Sequence, residues 1–250
     1  MRVLLTNDDG IDSPGLHAVR EALAPHHDIW VLAPDGERSA MSHYITVKDP
    51  IRCREVGERT LAVGGSPADC VILALAGVMP ERPDVVISGI NIGANLGTDI
   101  IYSGTVAAAR QAAIMGIAGI ALSVNGFDTT LHFDPLAELV RDRLDELVSL
   151  WNDEHFLNIN APNTPERDKP IDITSPSVRV YQDKLSEFRT PRGDVYFFMG
   201  GQPAEPELVP GTDWYAVAHG AVSITPVRLH PTSHPSESEY RKALYANSTV

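Results

Sequence analysis

The feature that most restricts this chain is an alternation. Short runs dominated by Val, Ile and Leu are separated by segments whose apolar residues fall three and four apart. The runs are Arg2 to Thr6, Asp28 to Ala33, Asp84 to Ser88, Gly119 to Val124 and Phe156 to Asn160. Continuous apolar runs of this length suit strands buried on both faces of a parallel sheet. Between them, Ser13-Pro14 opens a helix with Leu16, Val19 and Leu23 on one stripe, and Ser66-Pro67 opens a second. A Ser cap followed by Pro at the first helical position is a start signal. Tyr102-Ser103-Gly104-Thr105 opens an Ala-rich helix to about Met115. Asp134-Pro135 opens another, carrying Leu136, Leu139, Val140, Leu144 and Leu147. Strands alternating with helices predict an α/β fold, a doubly wound, Rossmann-like, mostly parallel sheet. Residues 44–63 alternate polar and apolar and read as short strands or hairpins.

The texture changes after Pro162. Residues 163–213 are rich in Pro, Gly and charge, with strand-like islands at Val178–Tyr181 and Val195–Phe198, and read as an extended β arm. Ala221 to Thr225 returns to core-strand character. Ser236-x-x-Glu239 is a capping-box pattern for a last short helix bearing Tyr240 and Leu244. So thin an apolar face predicts docking on another subunit. The expected organisation is a core over 1–162 that carries the site, an arm over 163–213, and a return strand and helix over 214–250 in oligomer contacts.

A chain of 250 residues suits one large domain with an appended arm. The formal net charge of −13 argues against binding a nucleic-acid polymer, which demands a basic face. Cys53 and Cys70 form no CxxC and no disulfide framework. The first residues hold too short an apolar run for a signal peptide. The longest apolar stretch, Ala112 to Val124, contains two glycines and is too short to span a bilayer. The expectation is a soluble cytoplasmic protein.

Polar residues collect where the strands end. Asp8 and Asp9 are adjacent carboxylates closing the first strand. Like charges so close raise one pKa unless a cation lies between them, and a hard divalent ion with oxygen ligands, Mg²⁺ or Mn²⁺, would serve. A capping carboxylate beside a solvated one is the plainer alternative. Glycines at 89, 93 and 97 interleave with Asn91 and Asn95. That spacing suits a backbone anion nest, although Asn and Gly are also ordinary turn residues. Ser103, Gly104 and Thr105 stand at a helix start, where free N–H groups favour phosphate. Simple capping explains Ser103 but not Gly104 and Thr105, which are poor helix formers. No Walker A pattern, GxGxxG, GxSxG or HExxH occurs. A hard metal, paired carboxylates and an anion cradle without a P-loop point to hydrolysis of a phosphate monoester. Asp9 is the candidate general base.

Those segments resemble the SurE family of metal-dependent 5′-nucleotidases. The match is carried by Leu5-Thr6-Asn7-Asp8-Asp9-Gly10-Ile11-Asp12-Ser13-Pro14-Gly15, by Arg38-Ser39, by Gly65-Ser66-Pro67-Ala68-Asp69-Cys70-Val71 and by Ser88 through Gly97. Tyr102 through Ala109, Asn158-Ile159-Asn160-Ala161-Pro162 and Thr212-Asp213 through Pro226 continue it in order. The resemblance implies one divalent metal ion, Mg²⁺ or Mn²⁺, on Asp8, Asp9, Ser39 and Asn91. It implies phosphate contacts from Asn95, Ser103, Gly104 and Thr105. It further implies hydrolysis of nucleoside 5′-monophosphates, in some members also of 3′-nucleotides or short polyphosphate, by a homodimer or homotetramer joined through its arm and C-terminal segment. Ser39 reads as a ligand and not a nucleophile, since no base lies at a suitable spacing. The chain departs from the family pattern at His43, Tyr44 and Gln111. His43 and Tyr44 are expected near the base or ribose. Tyr44 is either a stacking face for a nucleobase or a packed strand residue. The rival readings are a non-catalytic nucleotide sensor using the same cradle, a phosphatase with an aspartyl-phosphate, which would want Asp-x-Asp, and a partner-binding protein with an acidic surface.

Overall fold

β1 (Arg2–Thr6) lies at the centre of the sheet, paired in parallel with β2 (Asp28–Pro34) and β5 (Val85–Ile92). The computed structural model describes residues 1–127, 130–178, 184–200, 207–230 and 234–245. Its remaining elements are α1 (Pro14–Leu23), β3 (Cys53–Gly57), β4 (Thr60–Val63), α2 (Pro67–Leu73), α3 (Gly104–Ile114), β6 (Ala118–Asn125), α4 (Asp134–Ser149), β7 (His155–Pro162), β8 (Ile171–Ile173), β9 (Lys184–Arg189), β10 (Val195–Gly200), α5 (Asp213–Ala218), β11 (Val222–Arg228) and α6 (His234–Tyr245). The main sheet runs β3-β4-β2-β1-β5-β6-β7-β11-β8. All pairs from β4 to β7 are parallel; β3 and β11 pair antiparallel to their inner neighbours. The α/β fold read from the sequence is the one adopted.

The pleat sorts the core. Val3 and Leu5 face the layer of α1 and α4, while Leu4 faces α2 and α3. All three are fully buried. α3 and α4 follow consecutive steps in the same direction across the sheet, β5 to β6 and β6 to β7, yet lie on opposite faces. Their crossovers therefore have opposite hands, against the strong right-handed preference. The chain winds outward from β1 through β2, then returns to build β5, β6 and β7 on the other side. The strand order reverses between β1 and β5, which is where open sheets of this kind bind ligands.

Several boundaries differ from the sequence reading. β5 does not stop at Ser88 but continues through Gly89 to Ile92, with a register shift against β6 between Ser88 and Asn91. Gly89 takes φ +121°, and a Cβ there would stand 2.3 Å from the Leu122 carbonyl oxygen. A glycine bulge thus carries the strand into what reads as a loop. Residues 163–213 are not arm throughout: β8 pairs with β11 at the edge of the main sheet. The arm proper is the antiparallel pair β9–β10, every residue of which is exposed. Val178 lies outside any strand, and 179–181 of that island lie outside the described residues. α5, at Thr212-Asp213, is unforeseen. α6 begins at His234, so Ser236 lies inside the helix and is not its cap.

Candidate functional site

Asp8 and Asp9 leave the end of β1 at the switch point. The turn beneath them is closed by Asn7, whose Nδ2 donates to the Gly10 carbonyl at 2.8 Å. The Arg38 N–H donates to the Asp8 carbonyl at 2.7 Å, tying the loop after β2 to this strand end. Asp8 is buried and accepts a hydrogen bond at Oδ1 from the Thr105 hydroxyl at the start of α3. Burial pushes its carboxyl above the usual range, opposed by that hydroxyl and by the N–H groups of Thr105 and Gly104. A Cβ on Gly104 would lie 3.0 Å from both Asp8 Cβ and Oδ2, so any larger residue at the helix start would push the carboxylate aside by a few tenths of an ångström.

Asp9 turns toward β5, and its Oδ2 accepts from the Ile92 N–H at 3.3 Å. Its carboxyl is pushed up to about 7, first by burial, then by the negative charge of Asp8, with Glu37 adding to it. Asn91, next to the bulge of β5, donates from Nδ2 to the carbonyls of Gly93 at 2.8 Å and Ile92 at 3.3 Å. That commits its nitrogen and leaves Oδ1 for a cation. The Ser39 hydroxyl donates to Glu37 Oε1 at 2.9 Å. Ser103 caps α3, its Oγ accepting from the Val106 N–H at 3.1 Å, which leaves the hydroxyl proton for another acceptor.

Asp8, Ser39, Asn91, Asn95, Ser103 and Phe127 are among the walls of one cavity of about 210 Å³. Of the eight candidate residues, five therefore line the same space. Asp9, Gly104 and Thr105 do not line it. Asp9 reaches toward β5, and the other two stand behind Asp8 and hold it. The Thr105 hydroxyl is spent on Asp8, so its side chain positions that carboxylate.

The donor set suits a hard divalent cation. Two carboxylates with raised pKa values lie side by side, and among the described residues no Lys or Arg pairs with either. Among the described residues no group of three His, Cys, Asp or Glu side chains converges. The site combines two charged oxygen donors with the neutral oxygens of Asn and Ser, a set appropriate to Mg²⁺ or Mn²⁺.

Sequence reasoning missed the supports. Glu37 holds Ser39 and acts on Asp9. Asn95 is fixed from β7: the Asn160 Oδ1 accepts its N–H at 2.8 Å, and the amide nitrogens of Asn158 and Asn160 donate to its carbonyl at 2.8 and 3.2 Å. Its own Nδ2 donates to Ser123 Oγ at 2.9 Å. Two Asn residues inside an otherwise apolar core strand were the available signal. Asp213, fully buried at the start of α5, accepts the Gly97 N–H at 2.7 Å on Oδ2. The departures His43 and Gln111 meet each other, Nε2 to Oε1 at 2.9 Å, and with Tyr44 stay off the cavity wall. Burial and the charge of Arg110 hold the His43 imidazole below its usual pKa, with Gln111 opposing.

The family model described as Survival protein SurE matches residues 3–183. The chain belongs to the SurE family. Similar relatives include the 5′-nucleotidase SurE of Heliobacterium modesticaldum, 43% identical over 241 residues covering 94% of this chain and 88% of the relative. The 5′-nucleotidase SurE of Geotalea daltonii is 40% identical over 250 residues, covering 97% of this chain and 98% of that one. The crystal structure of the SurE protein from Aquifex aeolicus superposes with a TM-score of 0.85 at 34% identity, covering 98% of this chain and all of the other. In this SurE chain, the segments that match the family before residue 183 include the end of β1, the bulge of β5 and the start of α3.

Proposed function

We propose that this chain is a metal-dependent phosphomonoesterase that hydrolyses nucleoside 5′-monophosphates to nucleoside and phosphate. The observation that carries the reading is the pairing of buried Asp8 with half-buried Asp9 beside the cavity wall formed by Asn91, Asn95 and Ser103. Relatives bearing the 5′-nucleotidase name, at about 40% identity over nearly the whole chain, support it. Asp8, Asp9, Ser39 and Asn91 would hold one Mg²⁺ or Mn²⁺, which when bound supplies charge neutralisation for the phosphoryl group and a water of lowered pKa. Ser103 donates its hydroxyl proton to a phosphoryl oxygen, and the N-terminal dipole of α3 favours the same negative charge. Asn95, clamped from β7, holds a further wall of the cradle in place. Asp9 Oδ1, the oxygen not engaged by Ile92, is the proton acceptor for the attacking water.

The deciding experiment is phosphate release from a panel of nucleoside 5′- and 3′-monophosphates and short polyphosphate, with Mn²⁺, with Mg²⁺ and with EDTA. Metal-requiring release led by the 5′-monophosphates is expected. Nucleotide binding without release under every metal would make the chain a sensor. Gly104→Ala should cut turnover about tenfold or more, because a misplacement of Asp8 by a fraction of an ångström acts directly on the site. Its circular dichroism melt should stay within a few degrees of the parent, and full activity would show that the helix start does not position Asp8.

The β9–β10 arm exposes Leu185, Phe188, Tyr196, Phe197, Phe198 and Met199 together. So much apolar surface on one hairpin belongs in an interface, and a homodimer or homotetramer built through this arm is the assembly we propose. Replacing residues 184–200 by a short Gly-Ser turn should yield monomer by light scattering, whereas unchanged mass would place the interface elsewhere. Cys53 and Cys70 are both free, which agrees with a reducing, cytoplasmic setting. Among the described residues no helix is long and apolar enough to cross a membrane.

A further inference from the structure

Two aromatic side chains at the edge of the cavity remain exposed. Phe127 follows β6 and is 73% exposed, and Tyr102 precedes α3 and is 54% exposed. Both line the same cavity as Asp8, Asn91 and Ser103. Phe127 rests on the glycine cradle itself. A Cβ placed on Gly93 would stand 2.4 Å from both Cε1 and Cζ of the ring, so the ring occupies the space that any larger residue at 93 would claim. One side of the ring is thereby held against the backbone of the phosphate cradle while most of its surface stays open to water. Leaving a phenyl group in that position forfeits apolar burial.

The size of the cavity says what belongs there. At about 210 Å³ it is smaller than the roughly 300–1,000 Å³ of pockets that enclose a whole drug-sized ligand. A nucleoside monophosphate anchored by its phosphate among Asp8, Asn91 and Ser103 cannot be swallowed whole. The part farthest from the phosphate is the base, and it emerges at the rim.

We infer that Phe127 is the stacking platform for the nucleobase and that Tyr102 borders the same subsite. The inference rests on the nucleotidase reading and deepens it. Stacking on one ring recognises any base by its π face, so it separates nucleotides from base-free phosphate esters and ranks bases only weakly. It also assigns the aromatic role to Phe127 and not to Tyr44, which stands off the cavity wall.

The test compares a nucleoside 5′-monophosphate with ribose 5-phosphate on the metal-loaded full chain. The readout is the ratio of the two kcat/KM values. Wild type should favour the nucleotide, Phe127→Ala should lower the ratio about tenfold or more, chiefly through the nucleotide KM, and Phe127→Trp should restore it. The ring is exposed, so its truncation leaves the core intact, and a melting curve of each variant checks this directly. A ratio in Phe127→Ala equal to that of wild type overturns the platform while leaving the nucleotidase reading intact. Wild type that releases phosphate from neither substrate overturns that reading, and the platform with it.

Discussion

Asp9→Asn should lose at least a thousandfold in metal-dependent phosphate release and yet melt higher than wild type when both are stripped with EDTA at pH 8. The two effects have one origin. In the metal-free protein the Asp9 carboxyl is raised from its ordinary 3.8 to about 7, mainly by burial and then by Asp8. A raised carboxylate pKa means that the folded state binds more protons than the unfolded state between those values, so stability falls as pH rises from about 4 to about 7 and stays low above. Asn carries no charge and escapes that penalty. After discounting for the exposed part of the side chain, the gain at pH 8 is about 1–2 kcal/mol, or several degrees of melting temperature for a chain of this size. Near pH 4 the two proteins should melt together. Added Mn²⁺ should raise the wild-type melt and leave the variant almost unmoved, because a ligand stabilises only the state that binds it. A variant that keeps wild-type turnover would remove the metal site as described. A variant that melts no higher at pH 8 would mean that the pair is not strained in the free protein.

Much of the fold was legible because the chain is locally consistent. Arg2 to Thr6 and Gly119 to Val124 are mostly apolar on both faces, Phe156 to Asn160 is apolar on the Leu157–Ile159 face, and each helix between them carries its own start signal, so propensity, pattern and burial agree. Five of the eight candidate residues meet in one cavity because strand ends at a switch point are brought together by the topology itself. What escaped was set by contacts across long sequence separations. The bulge at Gly89 depends on the Leu122 carbonyl of β6, and nothing in Ser88-Gly89-Ile90-Asn91 distinguishes a strand with a bulge from the end of a strand. Thr105 read as a phosphate contact because its place at a helix start is visible, whereas its partner Asp8 lies 97 positions away. Phe127 carries no local signal at all: a single Phe after a strand ordinarily packs inward, and only the position of Gly93 beneath it marks a site. Ser236 misled for the opposite reason, since the capping pattern is present in sequence but the helix begins two residues earlier.

Asp213 shows how far from the chemistry such a contact can reach, and Asp213→Asn is expected to lower turnover ten- to a hundredfold without touching a single group on the cavity wall. The carboxylate is fully buried and accepts three backbone N–H groups: Ser177 at 2.9 Å and Trp214 at 2.7 Å on Oδ1, Gly97 at 2.7 Å on Oδ2. An Asn side chain can reproduce the first two with its oxygen. Its amide nitrogen must then face the Gly97 N–H, donor against donor, so the substitution releases one end of the loop that carries Asn95 while preserving the other contacts. A buried N–H left without a partner costs about 1–3 kcal/mol, which a urea midpoint can read as a loss of stability of that size. Asn95 is still gripped by Asn158 and Asn160 from β7, so the loop should not unfold but should lose its fixed position. An electrostatic cradle depends on being held in place before the reaction, and displacements of an ångström at such a site cost about two orders of magnitude in rate. Asp213→Ala removes both acceptor oxygens, and with them all three hydrogen bonds, and should destabilise further, and it serves to separate the two roles. If both variants lose stability in that order while Asp213→Asn keeps the wild-type kcat, Asp213 supports the fold alone and the cradle is held from β7. If kcat falls in Asp213→Asn by the expected factor, the clamp on Gly97 is part of what keeps the phosphate site in register.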